Sequence, residues 1–275
     1  MTFGVRSATV RFGDVVALDD VSVEVPAGSV VAVVGGDGAG KTTLLRALVR
    51  EVRLDTGEVD APDKAHLGFL PASAGSWAAL SVTQNLDFAA GVYGLSGAAV
   101  DVRRDELLER ADLSAAANRL ASRLSGGMRR KLGFCMAIVH RPDLLVLDEP
   151  STGVDPVSRI DLWRLVSEAA AGGAAVIMST TYLDEAERAA HLVVLDAGRV
   201  LVQGTYDQVQ ASFTGIVTQG TEPVRREWSW RRGLDRHEYW PDGDPPAHLA
   251  VVQPDVEDIV IALSLARRAV AGVPS

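Results

Sequence analysis

Cysteine is almost missing from this chain: Cys135 is the single one among 275 residues. No disulfide can form within it, which fits a reducing compartment. Cys135 itself lies in the apolar run "LGFCMAIV" and reads as inert core. Positive charge is also in short supply. Lys and Arg number 27 against 36 Asp and Glu, a net charge of −9, which argues against a general nucleic-acid binder. Long apolar runs are absent as well. "SVVAVVGG" and "LLVL" fall far short of the roughly 20 residues a spanning helix needs, and no basic-then-apolar leader opens the chain, so no secretion signal is expected. There is no internal repeat, low-complexity tract or sustained heptad pattern. What remains is ordinary globular material, 47% hydrophobic and 23% charged, enough for one large domain or one domain with an appendage. A negative chain can still bind an anion, because backbone N–H groups need no net positive charge to do so.

The chain divides by pattern. Val5 to Val25 alternates apolar and polar residues, with breaks at Gly13-Asp14 and Asp19-Asp20, and predicts short antiparallel strands. "SVVAVVGG" (Ser29 to Gly36) is a near-continuous β-branched run, as in a strand buried on both faces. A glycine-rich turn and the helical "KTTLLRALVR" follow. "AHLGFLP" predicts another strand. From Ser81 to His140 the pattern is helical. Strands and helices then alternate from "DLLVLDE" to "RVLVQG", which implies a mostly parallel sheet covered by helices. After Phe213 the composition shifts: "TEPVRREWSWRRGLDRHEYWPDGDPPAH" holds three of the five tryptophans. "DVEDIVIALSLARRAV" closes this part as an amphipathic helix. The expected division is a main domain over 1–213, with a helical subdomain at about 81–140, and a small α+β accessory domain over 214–275.

"GGDGAGKTT", Gly35 to Thr43, fits G-x-x-x-x-G-K-[ST] at Gly35, Gly40, Lys41 and Thr42. It follows a buried strand and opens a helix, the context the motif requires. Its glycines let consecutive N–H groups of Gly38, Ala39, Gly40 and their neighbours through Thr43 turn toward phosphate oxygens, and the helix N-terminus adds its dipole. Lys41 is suited to the terminal phosphates and the Thr42 hydroxyl to Mg²⁺. A plain glycine turn is the alternative. Asp37 is unusual beside a polyphosphate and must point its carboxylate outward. "LLVLDEP" sets Asp148 and Glu149 just past a buried strand, at the edge where α/β sheets bind ligands. Asp148 suits Mg²⁺ through water, and Glu149 suits the activation of an attacking water. Solvated acids at a strand end are the alternative here.

"LSGGM" (Leu124 to Met128) before a helix and "LLVLDEPSTGVDP" after it, together with the phosphate loop, resemble the nucleotide-binding subunit of ATP-binding cassette proteins over about Val5 to Gly204. The resemblance implies a P-loop NTPase (RecA-like) fold: a mostly parallel sheet, N-terminal antiparallel strands and an inserted helical subdomain. It implies ATP and Mg²⁺ as ligands and an ATPase coupled to transport. Ser125, Gly126 and Gly127 would cap the γ-phosphate of ATP held by a second cassette, Asp155 would cross that interface, and Phe12 would stack on adenine. The local wording is similar to cassettes of multidrug and daunorubicin-type exporters, whose membrane domain is commonly a separate protein.

Two positions depart from the family pattern. Ala72 stands where a glutamine would follow "GFLP", and Thr181 stands where a histidine would reach the γ-phosphate; threonine donates one hydrogen bond but cannot carry charge. These departures predict a heterodimer of two nucleotide-binding subunits, this chain holding ATP tightly and hydrolysing it slowly while its signature completes the partner's site; a homodimer is the other arrangement. A transmembrane permease subunit would dock near Ala72 and the helices around Trp77 to Tyr93, placing the chain in the cytoplasm, peripheral on the inner face of the membrane. The competing readings are a soluble cassette ATPase of translation or DNA repair and a regulatory nucleotide-binding subunit without turnover.

Overall fold

The computed structural model describes residues 1–73 and 75–271. In chain order its strands are β1 (Thr2–Phe12), β2 (Val15–Pro26), β3 (Val30–Val34), β4 (Thr56–Asp60), β5 (Leu67–Leu70), β6 (Leu144–Leu147), β7 (Ala175–Ser179), β8 (His191–Asp196), β9 (Arg199–Gly204), β10 (Ile216–Gly220), β11 (Ser229–Arg232), β12 (Asp235–Trp240) and β13 (Ala250–Val252). The α-helices are α1 (Lys41–Leu48), α2 (Val82–Val92), α3 (Ala98–Arg110), α4 (Gly126–Ile138), α5 (Pro156–Ala171), α6 (Leu183–Ala186), α7 (Tyr206–Ser212) and α8 (Val256–Ala271).

The central sheet has the order β5-β6-β7-β3-β8-β9. Its first five strands run parallel and β9 returns antiparallel to β8. Side chains alternate between the two faces, as the period of two in a strand requires. On one face Val31, Val33, Leu144, Val146 and Ile177 pack with Leu44, Leu45 and Leu48 of α1 and with the antiparallel strands. On the other, Leu145, Leu147, Val176 and Met178 meet α4 and α5. Burial on both sides is why these strands read as unbroken apolar runs.

The N-terminal strands differ from expectation in length. Gly13-Asp14 is a hairpin turn, but Asp19-Asp20 interrupts nothing: it lies inside β2, where the register with β1 shifts. Asp20 takes a left-handed φ of 53° there, a conformation that aspartate tolerates better than most residues. β4 adds to β1 as a third strand. It is nearly all exposed, so no apolar alternation marks it in the sequence. The remaining strands form a separate four-stranded antiparallel sheet, β11-β12-β10-β13. From that sheet α8 crosses back to the cassette: Val256 and Ile259 are buried with Ala32 and Val34 of β3, Leu192 and Val194 of β8 and Val209 of α7.

α2, α3 and α4 form the helical block. Ser81 and Gln84 make a reciprocal capping box at the start of α2, which fixes where the helix begins. Asn85, fully buried, accepts the Trp77 N–H at 2.7 Å and donates to the carbonyls of Trp77, Leu80 and Ser81. Trp77 rests edge-on against Phe88, 4.3 Å between ring centres.

His140, just beyond α4, lies flat on Tyr93 at 3.4 Å between ring centres. Both donate to the Leu67 carbonyl, His140 Nε2 at 3.2 Å and Tyr93 Oη at 3.3 Å. That leaves His140 Nδ1 as a buried bare acceptor without a partner among the described residues. Protonating it would bury an unsatisfied N–H, and burial pushes the His140 pKa down to about 4. The unfolded chain takes up this proton near pH 6.5 and the folded one only near pH 4, so stability falls as pH drops across that window. The residue is half-buried rather than fully enclosed, and solvent screening reduces the effect to about 1–2 kcal/mol. His140→Phe keeps the stacking and removes the proton. Denaturant titrations at pH 7.5 and pH 5 check this: the loss on acidification is expected to shrink by about that amount in the variant, and an unchanged loss refutes it.

Candidate functional site

Four segments leave the C-terminal edges of four adjacent strands: Pro71-Ala72 after β5, Asp148-Glu149 after β6, Thr180-Thr181 after β7 and the loop from Gly35 after β3. The strand order therefore brings together residues scattered over the sequence.

The loop is held from behind. Gly40, with a φ of 106°, is the N-cap of α1. A Cβ there would lie 2.7 Å from the Ala17 carbonyl oxygen, so neither the backbone shape nor the space admits another residue. Ala39 is buried, and its carbonyl accepts the Gly198 N–H at 2.9 Å. Gly36, Asp37 and Gly38 are exposed. Lys41 is 5% exposed, and its ammonium donates to the carbonyls of Gly35 at 2.8 Å and Gly36 at 3.1 Å. A cation is thereby fixed inside an N–H-rich turn, the arrangement that accepts polyphosphate. Thr43 is half-buried in the first turn of α1.

Thr42 faces the end of β6. Its hydroxyl donates to Asp148 Oδ1 at 3.2 Å. The same oxygen accepts the Ser179 hydroxyl at 2.8 Å, and Ser179 Oγ in turn accepts the Glu149 N–H at 2.9 Å. Asp148 is 1% exposed. This donor set, one hydroxyl beside one carboxylate, is all oxygen, and it suits a hard dication that keeps waters and phosphate oxygens as its other ligands. Glu149 has a left-handed φ of 48°, strained for a bulky residue. Thr152 steadies it by donating to Oε2 at 3.1 Å.

Around this centre lies a buried carboxylate that the sequence did not single out. Glu185 accepts the hydroxyls of Ser151 at 2.8 Å and Thr180 at 2.7 Å and Arg159 Nε at 3.1 Å. Arg159 also pairs with Asp184 at 3.0 Å and covers the Tyr182 ring at 3.7 Å. The turn carrying Thr181 is thus fastened to the segment after Glu149. Thr181 itself is exposed, as is Ala72.

Other candidate residues lie elsewhere on the chain. Ser125 caps α4, its hydroxyl accepting the Met128 N–H at 3.2 Å. Gly127 lies against α5, where a Cβ would meet Ser158 Oγ at 2.7 Å, and Gly126 lies beside it on the first turn of α4. Asp155 caps α5, accepting the N–H groups of Val157 at 3.1 Å and Ser158 at 3.0 Å. The backbone N–H of Ser158, then its hydroxyl, holds the Asp155 carboxyl below the usual carboxylate range. The signature and the Asp155 turn therefore sit together, both with helix N-termini facing outward. Phe12, at the end of β1, is 54% exposed, which leaves its ring free for a ligand. Cys135 is fully buried and its thiol is pushed up to about 12, as inert core requires.

Residues 18–152 match the ABC transporter family. The chain is 37% identical over 222 residues to the daunorubicin resistance ATP-binding protein DrrA3 of Streptomyces coeruleorubidus, covering 77% of this chain and 70% of that one. It is 39% identical over 217 residues to the probable multidrug ABC transporter ATP-binding protein YbhF of Escherichia coli, covering 75% of this chain and 38% of that longer one. Among solved structures, an ATP binding subunit of an ABC transporter superposes with a TM-score of 0.72 at 28% identity, covering 78% of this chain and 93% of the other.

Proposed function

Since the chain belongs to the ABC transporter family as an ATP-binding subunit, we propose that it binds MgATP at this sheet edge and drives export through a separate permease. The observation that carries this reading is the run of contacts from Thr42 through Asp148 and Ser179 to Glu149 beside the Lys41 loop. Gly35 to Thr43 hold the phosphates through backbone N–H groups and the Lys41 ammonium. Thr42 and Asp148 hold Mg²⁺, which supplies charge neutralisation of the phosphates. Phe12 stacks on adenine. Glu149 accepts the proton of a water that attacks the terminal phosphorus, and the bond to ADP breaks as the new P–O bond forms.

Two cassettes close head to tail, so that Ser125, Gly126, Gly127 and Asp155 complete the partner's site. Ala72 and Thr181 leave this chain's own site short of one polar side chain and one that can carry charge, which supports slow hydrolysis and a heterodimer with a competent partner. Exposed Trp77, Phe88 and Val92 lie beside the segment after Pro71, an apolar surface suited to a permease subunit. Among the described residues no helix is long and apolar enough to cross a membrane, consistent with a peripheral position on the inner face. Transport-type relatives favour this reading over a translation or repair cassette.

The test is MgATP binding and single-turnover hydrolysis by the purified chain. Tight binding is expected, with hydrolysis slow yet a further several-fold slower in Glu149→Gln. Brisk turnover by the chain alone would refute the slow-site reading and leave a homodimeric ATPase as the better account.

A further inference from the structure

Arg130 stands one turn into α4 and is 8% exposed. Its neighbour Lys131, equally buried, meets a carboxylate, Asp161, at 2.6 Å. Arg130 instead donates to carbonyls: Nη1 to Pro71 at 3.0 Å and Nη2 to Ala72. Burying a guanidinium against neutral acceptors is costly, and burial pulls its pKa below the ordinary range, against the attraction of Glu149 and Asp148. Both carboxylates of the site thus lie within electrostatic reach of the cation, and neither is bridged to it. The segment it grips is a direct neighbour of Asp148, whose N–H donates to Leu70 O at 2.8 Å.

We propose that Arg130 is a positioning residue for ATP hydrolysis: from the signature helix it fixes the Pro71-Ala72 backbone and presents a permanent positive charge to the Asp148-Glu149 pair. Ala72 has only a methyl group, so in this chain the link between the end of β5 and the signature helix is made through backbone carbonyls by the arginine. The inference rests on Glu149 acting as the base.

The experiment uses the full chain and its Arg130→Gln, Arg130→Lys and Glu149→Gln variants, with MgATP affinity by titration and single-turnover hydrolysis of γ-labelled ATP. Arg130→Gln keeps a donor and removes the charge. It is expected to slow hydrolysis about tenfold, or to the Glu149→Gln level, with MgATP affinity changed less than threefold. Arg130→Lys is expected to recover at least a third of the rate. A brace without a role in the reaction gives another result: lysine and glutamine equally defective, or MgATP affinity lost with the rate, and either overturns the proposal. So does Arg130→Gln hydrolysing within twofold of the parent. If the parent chain binds MgATP yet hydrolyses no faster than Glu149→Gln, the assignment of the base fails first and the proposal with it. That case is recognised without reference to Arg130.

Discussion

Lys41→Ala is expected to weaken MgATP binding by at least 100-fold. The ammonium now spans two loop carbonyls, Gly35 and Gly36, so it shapes the turn as well as charging it. Removing it costs a charge-assisted contact to phosphate, about 1.5–3 kcal/mol, and frees carbonyls that would then face an anion. Each 1.4 kcal/mol is about tenfold in affinity, so the two losses together pass two decades. Titration with MgATP measures this directly, and unchanged thermal unfolding without nucleotide would show that the fold is intact. Binding within threefold of the parent would remove the loop from the site. Lys41→Arg is expected to recover little, because the buried space between the two carbonyls fits a compact ammonium rather than a planar fork.

Thr181→His combined with Ala72→Gln should act in the opposite direction and accelerate hydrolysis. A single positioned polar group near the reacting phosphate is worth roughly 10²–10³ in rate, and an imidazole can carry the charge that threonine cannot. Both positions are exposed, so the larger side chains enter without overpacking. The turn bearing residue 181 is already held by Glu185, through Thr180 and Ser151, which keeps a new imidazole in place rather than on a loose loop. A rise of about 10²-fold in the double variant, abolished by Glu149→Gln, is the expected result. The two gains need not multiply, since both groups serve one transition state. No acceleration, with MgATP affinity intact, would place the cause of slow turnover elsewhere.

What could be read from the sequence was what chemistry keeps close along the chain. Gly35 to Thr43 and Asp148-Glu149 each follow an apolar strand within a few residues, and their roles are written in that local order. Ser179, Glu185 and Arg130 carry no such mark. Ser179 ends a buried strand and matters because β7 lies beside β6, so its hydroxyl meets Asp148. Arg130 is one of two consecutive arginines, and the turn of α4 buries it while leaving Arg129 half-exposed. β4 escaped notice because its one apolar side chain, Val59, cannot form a pattern. In each case pairing between distant segments decides the outcome, and neither composition nor spacing carries it.

The return of α8 to the cassette bears on how the chain is made. β3, the strand that launches the phosphate loop, is synthesised early, yet the buried cluster that holds its Ala32 and Val34 also takes in Val256 and Ile259. A nascent chain emerging N-terminus first therefore completes that cluster only when nearly everything else has been translated. A product cut short after Phe213 would lack Val256 and Ile259 and leave that cluster open on one side to the cell, where chaperones or proteases would meet it.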